Sequence, residues 1–253
     1  MTVVLWHIEL SHYNEKVRWA LDYKGVAHER RVPMPGFHRL SALAVTRGRH
    51  DRLPVAEIEG RRLGDSTAIV AALEERWPEP PLYPADPADR ARALALEDFF
   101  DERLAPDVRR WMWHQTLPDD DLVADSLFSP DARLRRRLLS LSAPVARPML
   151  RMDYTINDAT ARASEAQIRA AMDRLETEIG PGGYLAGDAF SVADMTAAAL
   201  FTPLLAPPGR QHQPPRAAPA VVRLRAELEA RPGGEWVHEM YARHRGASAA
   251  VTR

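Results

Sequence analysis

The sequence predicts an α/β unit followed by an all-helical one. Three observations carry this. Strand, helix and strand patterns succeed one another within about the first thirty residues, which is the layout of a βαβ unit. A stretch with four prolines, Glu79 to Pro87, marks a change of composition. After it only apolar stripes of helical period appear, with no strand pattern. The chain has 253 residues, of which 45% are hydrophobic and 27% charged. That is the balance of an ordinary globular chain with one large or two small domains.

In order, Val3 to Ile8 is rich in β-branched and aromatic residues and reads as a strand buried on both faces. Ser11 is a good N-cap for a helix from Tyr13 to Lys24, with Gly25 at its end. His28 to Val32 gives the second strand. Residues 33 to 52 are irregular, with a short helix at Leu40 to Val45. Pro54 to Glu59 and Arg61 to Leu63 form a hairpin about Gly60. Asp65 or Ser66 caps a helix whose stripe is Ile69, Leu73 and Trp77.

Beyond the prolines, Ala88 to Gln115 is helical with Leu96, Phe100, Leu104 and Val108 on one face, interrupted near Pro106. Leu117 to Ser129 reads as a polar loop and Ala132 to Met152 as a broken helix. Ala159 to Ile179 is a helix. Ser191 and Asp194 form a capping-box variant that opens the next one, and Ala220 to Arg231 reads as the last clear helix. The expected organisation is a domain at 1–78, a stiff linker at 79–87, a helical domain at 88–245 and a tail at 246–253.

Several function classes are excluded at this level. Lys and Arg total 34 against 35 Asp and Glu, a formal net charge of -1. No global basic field exists to hold nucleic acid. No apolar run approaches the ~20 residues of a membrane helix. Met1 to Glu9 has no signal-peptide pattern, so a cytoplasmic chain is expected. There is no cysteine, hence no disulfide, no Cys–metal site and no Cys nucleophile; no metal site is expected. If the protein handles thiols, the thiol comes from a bound partner.

Three groups of residues carry a resemblance. They are Ser11-His12-Tyr13-Asn14-Glu15-Lys16-Val17-Arg18-Trp19-Ala20-Leu21; then Leu53-Pro54-Val55 with Gly64-Asp65-Ser66-Thr67-Ala68-Ile69; and Tyr184-Leu185-Ala186-Gly187-Asp188 with Phe190-Ser191-Val192-Ala193-Asp194. In order and spacing the chain resembles the glutathione S-transferase family over nearly its whole length, except roughly 117–157. The resemblance implies a thioredoxin-like N-terminal domain plus an all-α C-terminal domain. It further implies glutathione as cosubstrate, a small hydrophobic electrophile as second substrate, a detoxification role and a homodimer.

It also implies site residues. Ser11 would donate its hydroxyl to the glutathione thiolate, and the physics agrees, because a helix N-terminus and a donated hydrogen bond both favour the charged form. From the residues alone an N-cap is the plainer reading of Ser11, and a serine can serve both roles. Tyr13 is the rival hydroxyl and a pocket candidate, while His12 and Asn14 read as surface or supporting groups. Asp65 and Ser66 would take the γ-glutamyl end. Leu53, before a cis Pro54, would pair with the cysteinyl backbone, and Arg52 would meet the glycine carboxylate. Trp111 and His114, with Met112 and Trp113, are candidates for the second-substrate pocket, core packing being the plainer reading. The chain departs from the family at Arg47-Gly48-Arg49-His50-Asp51, where an Asn-Pro-x-Gly lead-in is usual. A non-catalytic carrier of hydrophobic ligands, or a glutathione-dependent isomerase, would share this fold.

Overall fold

A computed structural model of the protein describes residues 3–34, 36–128, 144 and 147–251. Strands β1 (Val3–Trp6), β2 (His28–Arg31), β3 (Val55–Ile58) and β4 (Arg61–Gly64) form one sheet in the order β2-β1-β3-β4. β1 pairs with β2 in parallel and with β3 antiparallel, and β3 and β4 form a hairpin. The parallel pair is joined through helix α1 (His12–Tyr23), as a βαβ crossover requires. Helices α2 (His38–Thr46) and α3 (Ser66–Arg76) complete this part. β1 buries Val3 and Leu5 fully but Val4 and Trp6 only in part, so its two faces are not equally covered, which corrects the expectation of a strand buried on both faces.

Among the described residues the regular structure after Gly64 is helical apart from one isolated bridge, His28 to Ala250, with irregular chain between the helices. The helices include α4 (Pro87–Phe99), α5 (Ala105–Thr116), α6 (Asp120–Leu127), α7 (Asp158–Glu178), α8 (Val192–Leu205), α9 (Pro219–Glu229) and α10 (Pro232–His244), and residues 147–153 are helical as well. A π-helical turn, Phe100–Leu104, joins α4 to α5. The interruption expected at Pro106 therefore lies one turn earlier. Proline has no N–H to donate and its ring crowds the carbonyl of the preceding turn, so the bonding pattern widens before it. The stripe Leu96, Phe100, Leu104 and Val108 stays buried through the widened turn.

Two readings of the sequence are corrected. The aspartate run at 119–121 is not a loop: Asp119 caps α6, its Oδ1 accepting from the amides of Asp121 and Leu122 at 2.8 and 3.1 Å. The chain also has a helix after Arg231. In α10 the residues Trp236, Val237, Met240 and Tyr241 are buried at helical spacing, and Pro232 with two glycines obscured its start. Most of the helix expected at 132–152 lies outside the described residues. The Ser191–Asp194 box is present: Asp194 Oδ2 accepts from the Ser191 amide at 2.8 Å and from its hydroxyl at 2.7 Å.

Helix α1 is the joint between the sheet and the helical part, and its polar residues are inside. Glu15 and Arg18 are buried and paired at 2.7 Å. Arg245, just beyond α10, donates to Glu15 at 2.8 Å and to Asp22 at 2.8 Å. Burial alone would raise the Glu15 carboxyl, but the Arg18 and Arg245 guanidinium groups hold it down at about 2. A depressed carboxyl contributes stability that is complete above its ordinary value near 4.5 and is lost as pH falls through the folded value. At ~1.36 kcal/mol per pKa unit the clamp is worth ~3 kcal/mol. Stability is therefore expected to fall steeply between about pH 4.5 and 2, and the loss should shrink in Glu15→Gln, as read by urea unfolding across that range.

Candidate functional site

Strand register brings three sequence-distant segments to one end of the sheet. Trp6 lies opposite Val55, and Val55 lies opposite Gly64. The C-terminal end of β1, the N-terminal end of β3 and the C-terminal end of β4 therefore coincide. Ser11, Leu53-Pro54 and Asp65-Ser66 follow or precede those ends by a few residues. The Leu53–Pro54 peptide bond is cis, as the family resemblance implied. The unusual segment 47–51 packs here too: the His50 ring occupies the space a Cβ on Gly64 would need, so only glycine fits at that position.

Ser11 is the N-cap residue of α1 by position, with φ -75° and ψ 126°, yet its side chain caps no backbone amide. Its Oγ instead accepts from Asn14 Nδ2 at 2.7 Å. The Asn14 amide has a fixed orientation. Its Oδ1 accepts from the Ile8 amide at 3.1 Å, and its Nδ2 also reaches the Leu53 carbonyl at 3.4 Å. A backbone N–H can only donate and a carbonyl only accept, so Nδ2 must face Ser11. The Ser11 hydroxyl is thereby an acceptor toward the protein and keeps its own hydrogen to donate elsewhere. Asn14 is fully buried, so of the two readings the sequence left open, surface or supporting, the supporting one applies. It ties the start of α1 to the residue before the cis-proline.

His12 is buried as well, its Nε2 3.1 Å from the Ala105 carbonyl. Burial first, then the Arg109 charge, lower its pKa to about 3, so the ring is neutral. The Tyr13 hydroxyl donates to the Asp101 carbonyl at 2.8 Å. It is engaged across the joint with the helical part, and burial pushes its pKa up. As placed, it is a poorer thiolate donor than Ser11.

Asp65 has φ 73° and ψ 130°, a region L-residues rarely adopt, and caps α3 by accepting from the Ala68 amide at 3.0 Å. Such a backbone costs ~1–3 kcal/mol and persists only where the surroundings impose it. Asp65, not Ser66, is the cap. Ser66 is the first residue of the helix and is buried, and its hydroxyl has no hydrogen-bond partner among the described residues. Beside it Thr67 donates to Asp101 at 2.7 Å, and Lys16 lies 2.5 Å from Asp101 and 2.8 Å from Glu97. Sequence reasoning passed over Lys16, because nothing local marks a lysine whose partners are about 85 residues away.

A pocket between the sheet part and the helices is lined by Arg52, Pro106, Arg109, Arg110, Asp153, Tyr154 and Thr155. Trp111 and His114 do not line it. Trp111 is 1% exposed, sits in the core and donates to Glu165 at 3.1 Å. His114 meets Asp158 at the surface at 2.9 Å. The residues α5 turns toward the pocket are one and two positions before Trp111, because the helical period places Arg109 and Arg110 on the opposite side from the core. No described helix is long and apolar enough to cross a membrane, and no cluster of three or more His, Cys, Asp or Glu suited to a metal occurs among the described residues.

A four-stranded mixed sheet entered through a cis-proline and followed by a bundle of helices is a thioredoxin-like region joined to an all-α region. The chain belongs to the glutathione S-transferase family: its N-terminal domain model matches residues 5–81 and its C-terminal domain model residues 157–238. A probable glutathione S-transferase of Nicotiana tabacum is 30% identical over 40% of this chain and 43% of its own length. FtsZ-localized protein A of Caulobacter vibrioides is 27% identical over 53% of this chain and 46% of its own. The matched region thus spans less than half of these relatives. A glutathione S-transferase structure from Rhodospirillum rubrum F11 superposes with a TM-score of 0.58 at 24% identity, covering 93% of this chain and 91% of that one.

Proposed function

We propose that this protein is a glutathione transferase-like enzyme in which Ser11 stabilises the thiolate of bound glutathione. The observation that supports it most is the free hydrogen of the Ser11 hydroxyl. A serine used only as a cap would accept from an amide two or three residues on; this one accepts from Asn14 and is left to donate. The cis-proline edge at Leu53 offers a backbone partner for the cysteinyl part of the tripeptide. Ser66 and the start of α3 offer donors to the γ-glutamyl carboxylate, Asp65 a charge for its ammonium, and Arg52 a cation for the glycine end. In the reaction the sulfur lone pair forms the new C–S bond. The leaving group departs with its bonding pair, or, for an activated alkene, the adjacent carbon takes a proton from water.

Glutathione binding followed by calorimetry tests the assignment. Ser66→Ala and Arg52→Ala are each expected to weaken binding about ten- to a hundredfold, the range of one lost hydrogen bond to a charged group at ~1.5–3 kcal/mol. Wild-type affinity in both variants would remove the anchor assignment. With no cysteine in the chain, no mixed disulfide with glutathione can form. Purified protein is expected to show no Cys-dependent deglutathionylating or dehydroascorbate-reductase activity; robust turnover in such an assay would contradict it. The family resemblance supports a homodimer, which light scattering of the purified chain would check.

A second reading is a non-catalytic binding protein of the same fold; the similarity to FtsZ-localized protein A, a relative named for where it localises and not for a reaction, is the reason to test it. Glutathione affinity without conjugation of any activated aryl halide or alkene would support it.

A further inference from the structure

Resting on the reading that a thiolate forms at Ser11, we propose that the second substrate carries an anionic group, a carboxylate on an aromatic or similarly flat body, and that Arg109 is the cation that pairs with it. The expected second-substrate pocket was apolar. The pocket lined by Arg52, Arg109 and Arg110 is not.

Three of its lining residues are arginines and one is an aspartate. Two of the arginines already have partners. Arg110 pairs with Asp107 at 2.5 Å and also donates to Ser164 at 3.0 Å and to the Tyr154 carbonyl at 3.1 Å. Arg52 lies 3.8 Å from Asp153, which also receives Arg39 at 3.4 Å. Arg109 differs. Among the described residues no carboxylate forms an ion pair with it, and its Nε is buried with no hydrogen-bond partner, whereas Arg52, which also lies over the Tyr154 ring at 5.7 Å, has Asp153 as well. Arg109 is held by ring faces, with its guanidinium 4.5 Å from the Tyr154 centroid and 5.9 Å from that of Tyr13.

A planar cation gripped by two aromatic rings is oriented but not neutralised. It is therefore preorganised for an incoming carboxylate, whose two oxygens match its fork of donors. Tyr13 is two residues past Ser11, so the charge stands one ring away from the turn that carries the proposed thiolate donor. Tyr13 and Tyr154 supply flat apolar surface beside it. The other charges facing the pocket are the partnered Arg52, Arg110 and Asp153. Arg39 also pairs with Asp51 at 2.6 Å, so two arginines and two aspartates balance there, Arg110 is balanced by Asp107, and among the described residues Arg109 is left as the net positive charge.

The test compares two probes that differ by one charge, S-(4-carboxybenzyl)glutathione and S-(4-carbamoylbenzyl)glutathione, by calorimetry on the full chain at low salt. In wild type the carboxylate probe is expected to bind at least about tenfold more tightly than the amide, the scale of a charge-assisted hydrogen bond. In Arg109→Gln the ratio should fall to about twofold or less, with glutathione itself bound as in wild type. Arg109→Lys should restore part of the preference. Circular dichroism and melting curves of each variant confirm that it is folded. Equal affinities in wild type, a preference that survives Arg109→Gln, or loss of glutathione affinity in that variant overturns the proposal. Glutathione binding without discrimination removes only this inference. Failure of glutathione and both probes to bind wild type removes the thiol site itself, and this inference with it.

Discussion

Replacing Ser11 with alanine is expected to lower turnover about ten- to a hundredfold while leaving glutathione affinity and the melting temperature close to wild type. The hydroxyl matters most when the sulfur carries charge, so the proposed tripeptide anchors at Arg52, Leu53 and Ser66 are untouched. A hydrogen bond to a charged group is worth ~1.5–3 kcal/mol, and one pKa unit corresponds to ~1.36 kcal/mol. The bound thiol should therefore titrate about one to two units higher, and the thiolate fraction at neutral pH should drop accordingly.

Structure separates this outcome from the alternative. Loss of a working N-cap costs ~0.5–2 kcal/mol, but the Ser11 side chain caps nothing. Its removal deprives Asn14 Nδ2 of one partner, and the Leu53 carbonyl remains within 3.4 Å. A pH–rate profile taken beside a melting curve decides the matter. A profile displaced to higher pH with an unchanged melt fits the thiolate role. An unshifted profile with a lowered melt would make Ser11 a purely structural residue. Asn14→Ala should produce a smaller shift in the same direction, since it frees the Ser11 oxygen to turn its hydrogen inward.

Lys16→Met should destabilise the fold by about 3–5 kcal/mol near neutral pH, a large share of the ~5–15 kcal/mol that typically separates folded from unfolded chains. Lys16 is buried between Glu97 and Asp101, at 2.8 and 2.5 Å. Burial already raises the Glu97 carboxyl, with Lys16 opposing the rise. Without the ammonium, two carboxylates share one dry site, and their repulsion and desolvation are uncompensated. The sign of the pH dependence follows. A carboxyl raised in the folded state is stabilising when protonated, so the defect should be smaller at pH 5 than at pH 8. Urea unfolding at both values measures it, and adding Glu97→Gln should recover part of the loss. A Lys16→Met variant within about 1 kcal/mol of wild type at both pH values would mean the cluster does not hold the two parts together.

Much of this architecture was legible in the residues. Residue type and turn signals placed β1 to β4, and helical spacing of apolar residues placed α1, α3 and α7, each within a residue or two, because these signals are local. Ser191 and Asp194 announced α8 through a three-residue bond that any sequence displays. Errors arose where one residue type has two uses. Three aspartates read as a loop were a cap and first turn, and Pro232 with two glycines read as an end was a beginning.

The candidate site divides in the same way. The absence of cysteine, read from the sequence alone, confines any thiol chemistry to a bound partner. The motifs around Ser11, Pro54 and Ser66 are contiguous stretches, so they too could be read along the chain. What the hydroxyl of Ser11 does could not, because it depends on Asn14, and the orientation of Asn14 depends on Ile8 and Leu53, which the sheet brings together. The burial of Glu15 and Lys16, and the charge of Arg109, which meets no carboxylate among the described residues, were likewise decided only in three dimensions. A side chain's charge is written in the sequence; whether that charge has a partner depends on residues dozens of positions away, and only folding sets their distance.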